Sequence, residues 1–168
     1  ENNVEVVYYS GNITDVFVAF MQQHRQQVPQ VILVGPDILL QETFIDQIGP
    51  HNAENTYFTS IGIPISHMKT RGAELFRDKY IQAYEKEPTP ISAFGYEAAF
   101  VLIEALQQVD AIHRQNIIKE IGAVRRTDSM FGSWRFSRQG DASLETIGIT
   151  VIEKGNFIFL GSLLPQKR

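Results

Sequence analysis

Short apolar runs separated by amphipathic stretches make up the first sixty residues of the chain. The runs Val4–Tyr9, Val31–Val34 and Thr56–Ser60 are rich in β-branched and aromatic residues and predict three strands, the first two of them buried. Apolar residues at helical spacing predict a helix from about Ile13 to Gln27 and a shorter one from about Ile38 to Ile48. This β-α-β-α-β order predicts a parallel sheet with right-handed crossovers.

Three further helices are predicted in the middle of the chain, from about Thr70 to Lys86, Ser92 to Val109 and Arg114 to Ala123. The second is apolar almost all round, with a narrow polar stripe that contains Glu97 and Glu104. We therefore expect this helix to be largely buried, with the stripe as its solvated face. A solvated face explains these two carboxylates better than paired acid–base catalysis does.

The last third has the pattern of short strands. Gly132–Phe136 predicts one strand, followed by a turn at Ser137–Asp141. Ile147–Ile152 and Phe157–Leu160 predict two more strands joined as a hairpin. Three parallel strands, several helices and a terminal hairpin form no obvious closed arrangement, so we expect the chain to be incomplete or to pair with another chain.

Composition excludes several classes of function. The net charge of −4 argues against a nucleic-acid partner, and no apolar run is long enough to span a membrane. The chain contains no cysteine, so disulfides, thiol catalysis and cysteine-based zinc sites are excluded. It opens with polar residues, so a targeting segment, if the protein is exported, would lie outside this sequence.

Motifs for catalysis and metal binding are not found in the sequence. It lacks the nucleophile elbow, the zinc-protease motif and the glycine-rich phosphate and dinucleotide loops. Four histidines have no metal-ligand spacing and are predicted at the surface: His24, His51, His67 and His113. Trp134 could stack on a ligand, but burial in a core is favoured.

Polar residues follow the first two predicted strands, where ligands bind in open α/β sheets. These are Ser10-Gly11-Asn12 and Gly35-Pro36-Asp37. Asp37 could bind an ammonium group, or it could cap the helix predicted from Ile38. The usual preference for aspartate at that position favours the cap, and Asn12 presents the same choice for the helix before it. Ser10 and Gly11 are either turn residues or allow close approach of a ligand.

Several stretches of the chain resemble the type I periplasmic binding proteins of the branched-chain amino acid (Leu/Ile/Val) family. They are Val6–Gly11 and Val34–Asp37; Gly49 with Thr56–Ser60; Phe76–Tyr80, Tyr84, Pro88, Pro90 and Ala93–Ala99; and Phe131-Gly132, Phe136 and Gly140-Asp141. The third group is the most distinctive, and in the fourth Ser137 replaces an aspartate. The resemblance covers nearly the whole chain but only the latter half of such a protein.

The resemblance implies an α/β fold of parallel-sheet, Rossmann-like lobes, incomplete in this chain. Residues 1–60 would be a portion of the second, C-terminal ligand-binding lobe. Residues 61–130 would be helices of the first lobe after the interlobe crossover, and residues 131–168 the hinge-crossing turn and C-terminal strands. The groups that hold an amino acid's carboxylate in the family's first lobe have no counterpart here.

The resemblance also implies roles for single residues. Asp37 stands where the family has the acid that binds the ligand's ammonium group, which favours the ligand role over the cap. Asn12 stands at or beside a pocket position that is often aromatic, and its amide implies a more polar ligand. Ser10, Gly11 and Pro36 complete the expected ligand-binding set.

The function implied is solute capture without catalysis, cofactor or metal. Two lobes would close about a hinge on an amino acid or a related amine or amide, for delivery to an ABC transporter permease. The protein would be periplasmic or extracellular, either free or tethered to the membrane as a lipoprotein. Two alternatives stay open: a ligand-sensing domain of a signalling receptor on the same fold, and a small α/β enzyme that uses Asp37 near Ser10.

Overall fold

The computed structural model describes residues 3–164 and has an α/β fold. The strands are β1 (Val6–Tyr8), β2 (Ile32–Pro36), β3 (Thr56–Ile61), β4 (Arg125–Ser129), β5 (Gly132–Arg135), β6 (Ile147–Glu153) and β7 (Asn156–Leu163). The helices are α1 (Asp15–Gln27), α2 (Glu42–Ile48), α3 (Pro50–Ala53), α4 (Arg71–Tyr84), α5 (Pro90–Gln107) and α6 (Arg114–Ala123). Single 3₁₀ turns cover Asp37–Leu39 and Ile65–His67.

The chain divides into two compact units. Unit 1 comprises residues 1–62 and 146–168, and unit 2 comprises residues 63–145. The predicted third segment, 131–168, is thus shared between the units, and residues 1–2 and 165–168 of the predicted segments lie outside the described residues. The assignment of the segments to lobes stays a prediction.

Unit 1 is built on a five-stranded mixed sheet of order β1-β2-β3-β6-β7. The first three strands are parallel, as the sequence predicts, and the predicted terminal hairpin adds β6 and β7 in antiparallel fashion. Tyr8 is paired with Val34, and Pro36 with Thr59. This register brings the carboxyl ends of β1, β2 and β3 to one edge of the sheet.

The core of unit 1 lies where α1 and α2 cover the sheet. Phe17 of α1, Phe44 of α2 and Phe58 of β3 are fully buried there. The prediction that the first strand is buried is wrong, because Val6 and Tyr8 are 53% and 55% exposed. Since β1 is an edge strand of the described sheet, its outer side has no neighbouring strand to cover it.

Neither predicted helix cap is observed. Helix α1 begins later than expected, and the Thr14 hydroxyl, not Asn12, accepts a hydrogen bond from the Phe17 amide at 3.2 Å. Asp37 is the first residue of a 3₁₀ turn, and α2 starts only after Gln41. The chain turns before each helix begins, so both residues lie too early in the sequence for the cap role.

Unit 2 consists of α4, α5 and α6 together with the β4–β5 hairpin. Strand β4 was not predicted, because its sequence is polar throughout. The Thr70 side chain caps α4, and Thr89 with Ser92 forms a capping box on α5. Two small cores hold the unit together, one around Phe76 and the other around Trp134.

Helix α5 buries Glu97 and half-buries Glu104, so the prediction that their stripe is a solvated face is wrong. Glu97 is 4% exposed and lies on the same buried face as Ala93, Val101 and Ala105. The prediction that the helix is largely buried is also wrong. Its other faces expose large apolar side chains: Tyr96, Phe100, Leu102, Ile103 and Leu106.

Candidate functional site

The carboxyl ends of the parallel strands bring all five predicted ligand-binding residues to one edge of unit 1. Ser10, Gly11 and Asn12 follow β1, while Pro36 and Asp37 end β2 and begin the turn after it. Ser10, Asn12 and Asp37 are exposed, and Gly11 and Pro36 are half-buried. The predicted grouping is therefore observed as a shared position in the fold.

Asp37 is held in place by the 3₁₀ turn that follows β2. The Leu40 amide donates to the Asp37 carbonyl at 2.9 Å, and the side chain of Leu39 is fully buried beneath the turn. Gly35 lets the turn fold back, since a Cβ there would lie 2.6 Å from Cδ1 of Leu39. No described residue donates a hydrogen bond to the exposed Asp37 carboxylate, so both its oxygens can accept from a ligand.

The loop after β1 offers neutral polar groups at the same edge of the sheet. The Asn12 side-chain amide has no hydrogen-bond partner among residues 3–164, so it can both donate and accept. Its backbone carbonyl accepts from the Tyr9 hydroxyl at 2.9 Å. Sequence reasoning overlooked Tyr9, whose position as the aromatic residue directly after β1 was the available signal.

Unit 2 contains a buried ionic cluster. Oε1 of Glu97 accepts from Nε of Arg126 at 3.0 Å and from Nε1 of Trp134 at 2.9 Å. A second carboxylate, Glu104, pairs with Nη1 of Arg126 at 3.2 Å, and the guanidinium lies 4.0 Å from the centre of the Phe100 ring. Because Arg126 binds both carboxylates, the cluster fits a structural brace better than acid–base catalysis.

The burial of Trp134 confirms that it is a core residue. Beside the cluster, unit 2 has a cavity of about 470 Å³ between α4, α5 and β4. Its lining includes five aromatic side chains: Phe76, Tyr80, Tyr84, Tyr96 and Phe100. This cavity adjoins the apolar side chains that α5 leaves exposed.

Three of the four histidines are exposed, as predicted, but His24 is buried at 5% exposure. Neither of its ring nitrogens has a partner within the described part of the chain. Burial, and secondly the positive charge of Arg25, lower the pKa of His24 below its usual 6.5.

Residues 3–164 contain no group of three potential ligands that could hold a metal ion. No helix among them is long and apolar enough to cross a membrane.

Solved solute-binding proteins have a similar fold. A leucine binding protein from Thermotoga maritima matches with a TM-score of 0.81 at 23% identity, over 96% of this chain and 45% of that one. A branched-chain amino acid transporter substrate binding protein from Streptococcus pneumoniae, in complex with isoleucine, gives 0.72 at 18%, over 96% and 44%. An ABC transporter solute binding protein from R. palustris, in complex with benzoate, gives 0.68 at 18%, over 96% and 43%. At these identities the likeness shows the fold.

The chain spans less than half the length of these three structures. No curated protein sequence matches it. The family described as "Periplasmic binding protein" matches residues 1–155. Because that match spans most of the chain and the fold agrees with it, the chain belongs to this family of transport components, which are not enzymes.

Proposed function

We propose that the protein is a receptor that binds a polar amino acid or a related amine and delivers it to an ABC transporter permease. The observation that carries the proposal is the exposed, unpaired carboxylate of Asp37 at the carboxyl ends of parallel strands. Ligands of open α/β folds bind at this edge of the sheet. In a family of solute-binding proteins, an unpaired anion there suits a cationic group of the solute.

The charge of Asp37 narrows the class of solute. Related structures were solved with isoleucine and with benzoate, so membership of the family does not by itself require an amine. A carboxylate at the site would repel a ligand that carries only a negative charge, whereas an ammonium group would form a charge-assisted hydrogen bond. We therefore favour solutes with an ammonium group.

Asn12 favours a polar solute over a branched aliphatic one. Its unpartnered amide would have to be desolvated against an apolar side chain, which costs free energy without a compensating hydrogen bond. A ligand that carries a hydroxyl, amide or second charged group would restore that bond. The expected solutes are amino acids with a polar side chain.

The lobe assignment supports capture by hinge closure. We assign residues 1–60 to part of the second lobe, 61–130 to helices of the first, and 131–168 to the hinge-crossing turn and terminal strands. The chain passes between units after Gly62 and before Thr146, and the Gly62 amide donates to the Thr146 carbonyl at 2.9 Å. Both connections therefore leave unit 1 at neighbouring residues, which suits a hinge. Ligand binding would then favour the closed form. Capture would take place outside the cytoplasmic membrane.

The apolar side chains that α5 exposes support the view that the first lobe is completed by further polypeptide. A contiguous apolar face of this kind marks an interaction surface. The structural relatives have more than half of their length outside the part that this chain matches. We propose that the corresponding polypeptide covers this face and supplies the groups that hold the ligand's carboxylate.

Calorimetry on the full-length gene product tests the receptor proposal. The panel contains polar and apolar amino acids, simple amines, and carboxylates that lack an amine. We expect saturable heat for amino acids, and a loss of roughly tenfold to a hundredfold in affinity for Asp37→Asn. The affinity of Asp37→Asn for carboxylates without an amine should not fall. Asp46→Asn, an exposed acid on α2, is the matched control.

Two results would contradict the proposal. Equal loss of affinity for amino acids and for amine-free carboxylates in Asp37→Asn would exclude the ammonium role. No saturable heat with any member of the panel would exclude an amino acid or amine receptor altogether.

A further inference from the structure

We propose that Tyr9 is a positioning residue, which holds the loop Ser10–Asn12 in the conformation that presents Asn12 to the solute. The inference rests on the proposed function for its consequence in binding, but its structural part is independent of any ligand. Three observations carry it: a ring stack, a hydrogen bond and a close approach to a glycine.

The ring of Tyr9 is fixed to the core of unit 1. It stacks on Phe17 with 4.0 Å between ring centres and 22° between ring planes. Phe17 belongs to α1 and is itself buried. Since both side chains pack in the same core cluster, the Tyr9 ring has little freedom to move.

Hydrogen bonds of Tyr9 fix the loop at its two ends. Its backbone amide donates to the Val34 carbonyl at 2.9 Å, which holds the start of the loop beside β2. Its hydroxyl donates to the Asn12 carbonyl at 2.9 Å, which holds the end of the loop. Among the described residues, this hydroxyl provides the one side-chain hydrogen bond that the loop receives.

Gly11 fits the loop closely against the Tyr9 ring. A Cβ added at Gly11 would lie 2.6 Å from the Tyr9 hydroxyl oxygen and 2.8 Å from Cζ. Such distances are too short for a Cβ unless the Tyr9 ring moves, and the stack on Phe17 opposes that movement. The loop therefore curls around the end of the Tyr9 side chain, and the position of Asn12 depends on that side chain.

Nitrogen-15 relaxation of the chain, with Tyr9→Phe as the variant, tests the structural part. The substitution removes the hydroxyl and keeps the stack on Phe17. We expect backbone order parameters at Gly11 and Asn12 near the rigid value of about 0.85 in the wild type, falling towards about 0.6 in Tyr9→Phe. Tyr57→Phe is the matched control, because Tyr57 is also half-buried in this sheet and its hydroxyl has no hydrogen-bond partner among the described residues. Unchanged order in Tyr9→Phe, or an equal change in Tyr57→Phe, would overturn the inference.

Solute affinity of the full-length gene product tests the consequence. We expect Tyr9→Phe to weaken binding by roughly two- to tenfold without lowering the melting temperature, and Tyr57→Phe to change neither. Wild-type affinity in Tyr9→Phe would show that the loop position does not matter for binding. That result would overturn the proposed consequence for solute affinity. A wild type that binds no solute would refute the proposed function, while the relaxation experiment would still decide whether Tyr9 positions the loop.

Discussion

The indole N–H of Trp134 donates to Oε1 of Glu97 at 2.9 Å, although the two residues are 37 positions apart in the sequence. The same oxygen accepts from Arg126, so one carboxylate ties α5 to both strands of the β4–β5 hairpin. Trp134 is the only tryptophan of the chain, and its fluorescence therefore reports on unit 2 alone.

Glu97→Gln should destabilise unit 2. The amide oxygen can still accept from Trp134, but Arg126 loses its buried counter-charge, which we expect to cost about 1.5–3 kcal/mol. Glu97→Ala removes both bonds and should cost about 3–5 kcal/mol. Urea unfolding followed by Trp134 fluorescence measures both values.

Glu104→Gln is the matched control for this prediction. Its side chain is 35% exposed and also pairs with Arg126, so solvent screens the interaction and the loss should be at most about 1 kcal/mol. Equal losses for Glu97→Gln and Glu104→Gln would show that burial of Glu97 does not decide the strength of the cluster.

The cluster also shows where prediction from sequence stopped. Periodicity correctly placed α5 and its polar stripe, because both follow from spacing along one helix. It could not show which face is buried, because Arg126 and Trp134 lie in another element and their position depends on tertiary structure. The polar strand β4 was missed for a different reason: its sequence has no alternation of apolar and polar residues.

The helices and strands of unit 1, and the position of its candidate residues, were predicted more completely than those of unit 2. The parallel arrangement of β1, β2 and β3, and the edge where Asp37 and Asn12 lie, follow from apolar runs and the rules for parallel sheets. The pairing of the terminal hairpin with β3 did not follow from them. The exact starts of the helices did not follow, because Thr14 and Asn12 are both acceptable caps and packing decides between them. The prediction that β1 is buried also failed, since a sequence does not reveal which strand lies at an edge of the sheet.

His24 should make unit 1 less stable at acidic pH. Burial, with a smaller effect of Arg25, lowers the pKa of His24 in the folded chain below the 6.5 of an unfolded histidine. The unfolded state therefore binds more protons below that pH. Stability is full above about pH 6.5, falls as the pH decreases from there, and levels off below the folded pKa.

Urea unfolding followed by circular dichroism between about pH 5 and 8 measures this dependence. His24→Leu should remove that part of the pH dependence, because leucine has no group that titrates. His51→Gln is the control, since His51 is an exposed histidine of the same unit. If His24→Leu keeps the wild-type pH profile, the buried imidazole is not its source.

Gly72→Ala should destabilise unit 2 even though alanine favours helices. Gly72 lies in the first turn of α4, and a Cβ there would be 2.9 Å from the amide nitrogen of Met130 and 3.0 Å from the carbonyl carbon of Ser129. These are backbone atoms of the β4–β5 turn, which is also held by a 2.7 Å hydrogen bond from the Thr70 hydroxyl to the Met130 carbonyl. Overpacking of this kind costs about 1–3 kcal/mol, measurable by Trp134 fluorescence in urea.

Gly95→Ala separates packing from helix propensity. Gly95 lies in α5, and a Cβ there would have no atom within 4 Å. Alanine at this position should stabilise the unit by about 0.5–1 kcal/mol. A Gly72→Ala variant that gains stability as Gly95→Ala does would show that α4 does not approach the β4–β5 turn as closely as described.

The exposed apolar face of α5 can be tested by cysteine labelling, because the chain has no cysteine of its own. Ile103, at 56% exposure, lies on this face. If further polypeptide covers it in the receptor, Ile103→Cys should react with a maleimide freely in the 168-residue chain. In the full-length gene product it should react at least about tenfold more slowly, because a covered thiol reacts only through local opening. Lys119→Cys is the control, since the Lys119 side chain is 82% exposed and should be labelled at similar rates in both. Equal labelling of Ile103→Cys in the two proteins would show that nothing covers this face, and the assignment of α5 to a larger first lobe would then fail.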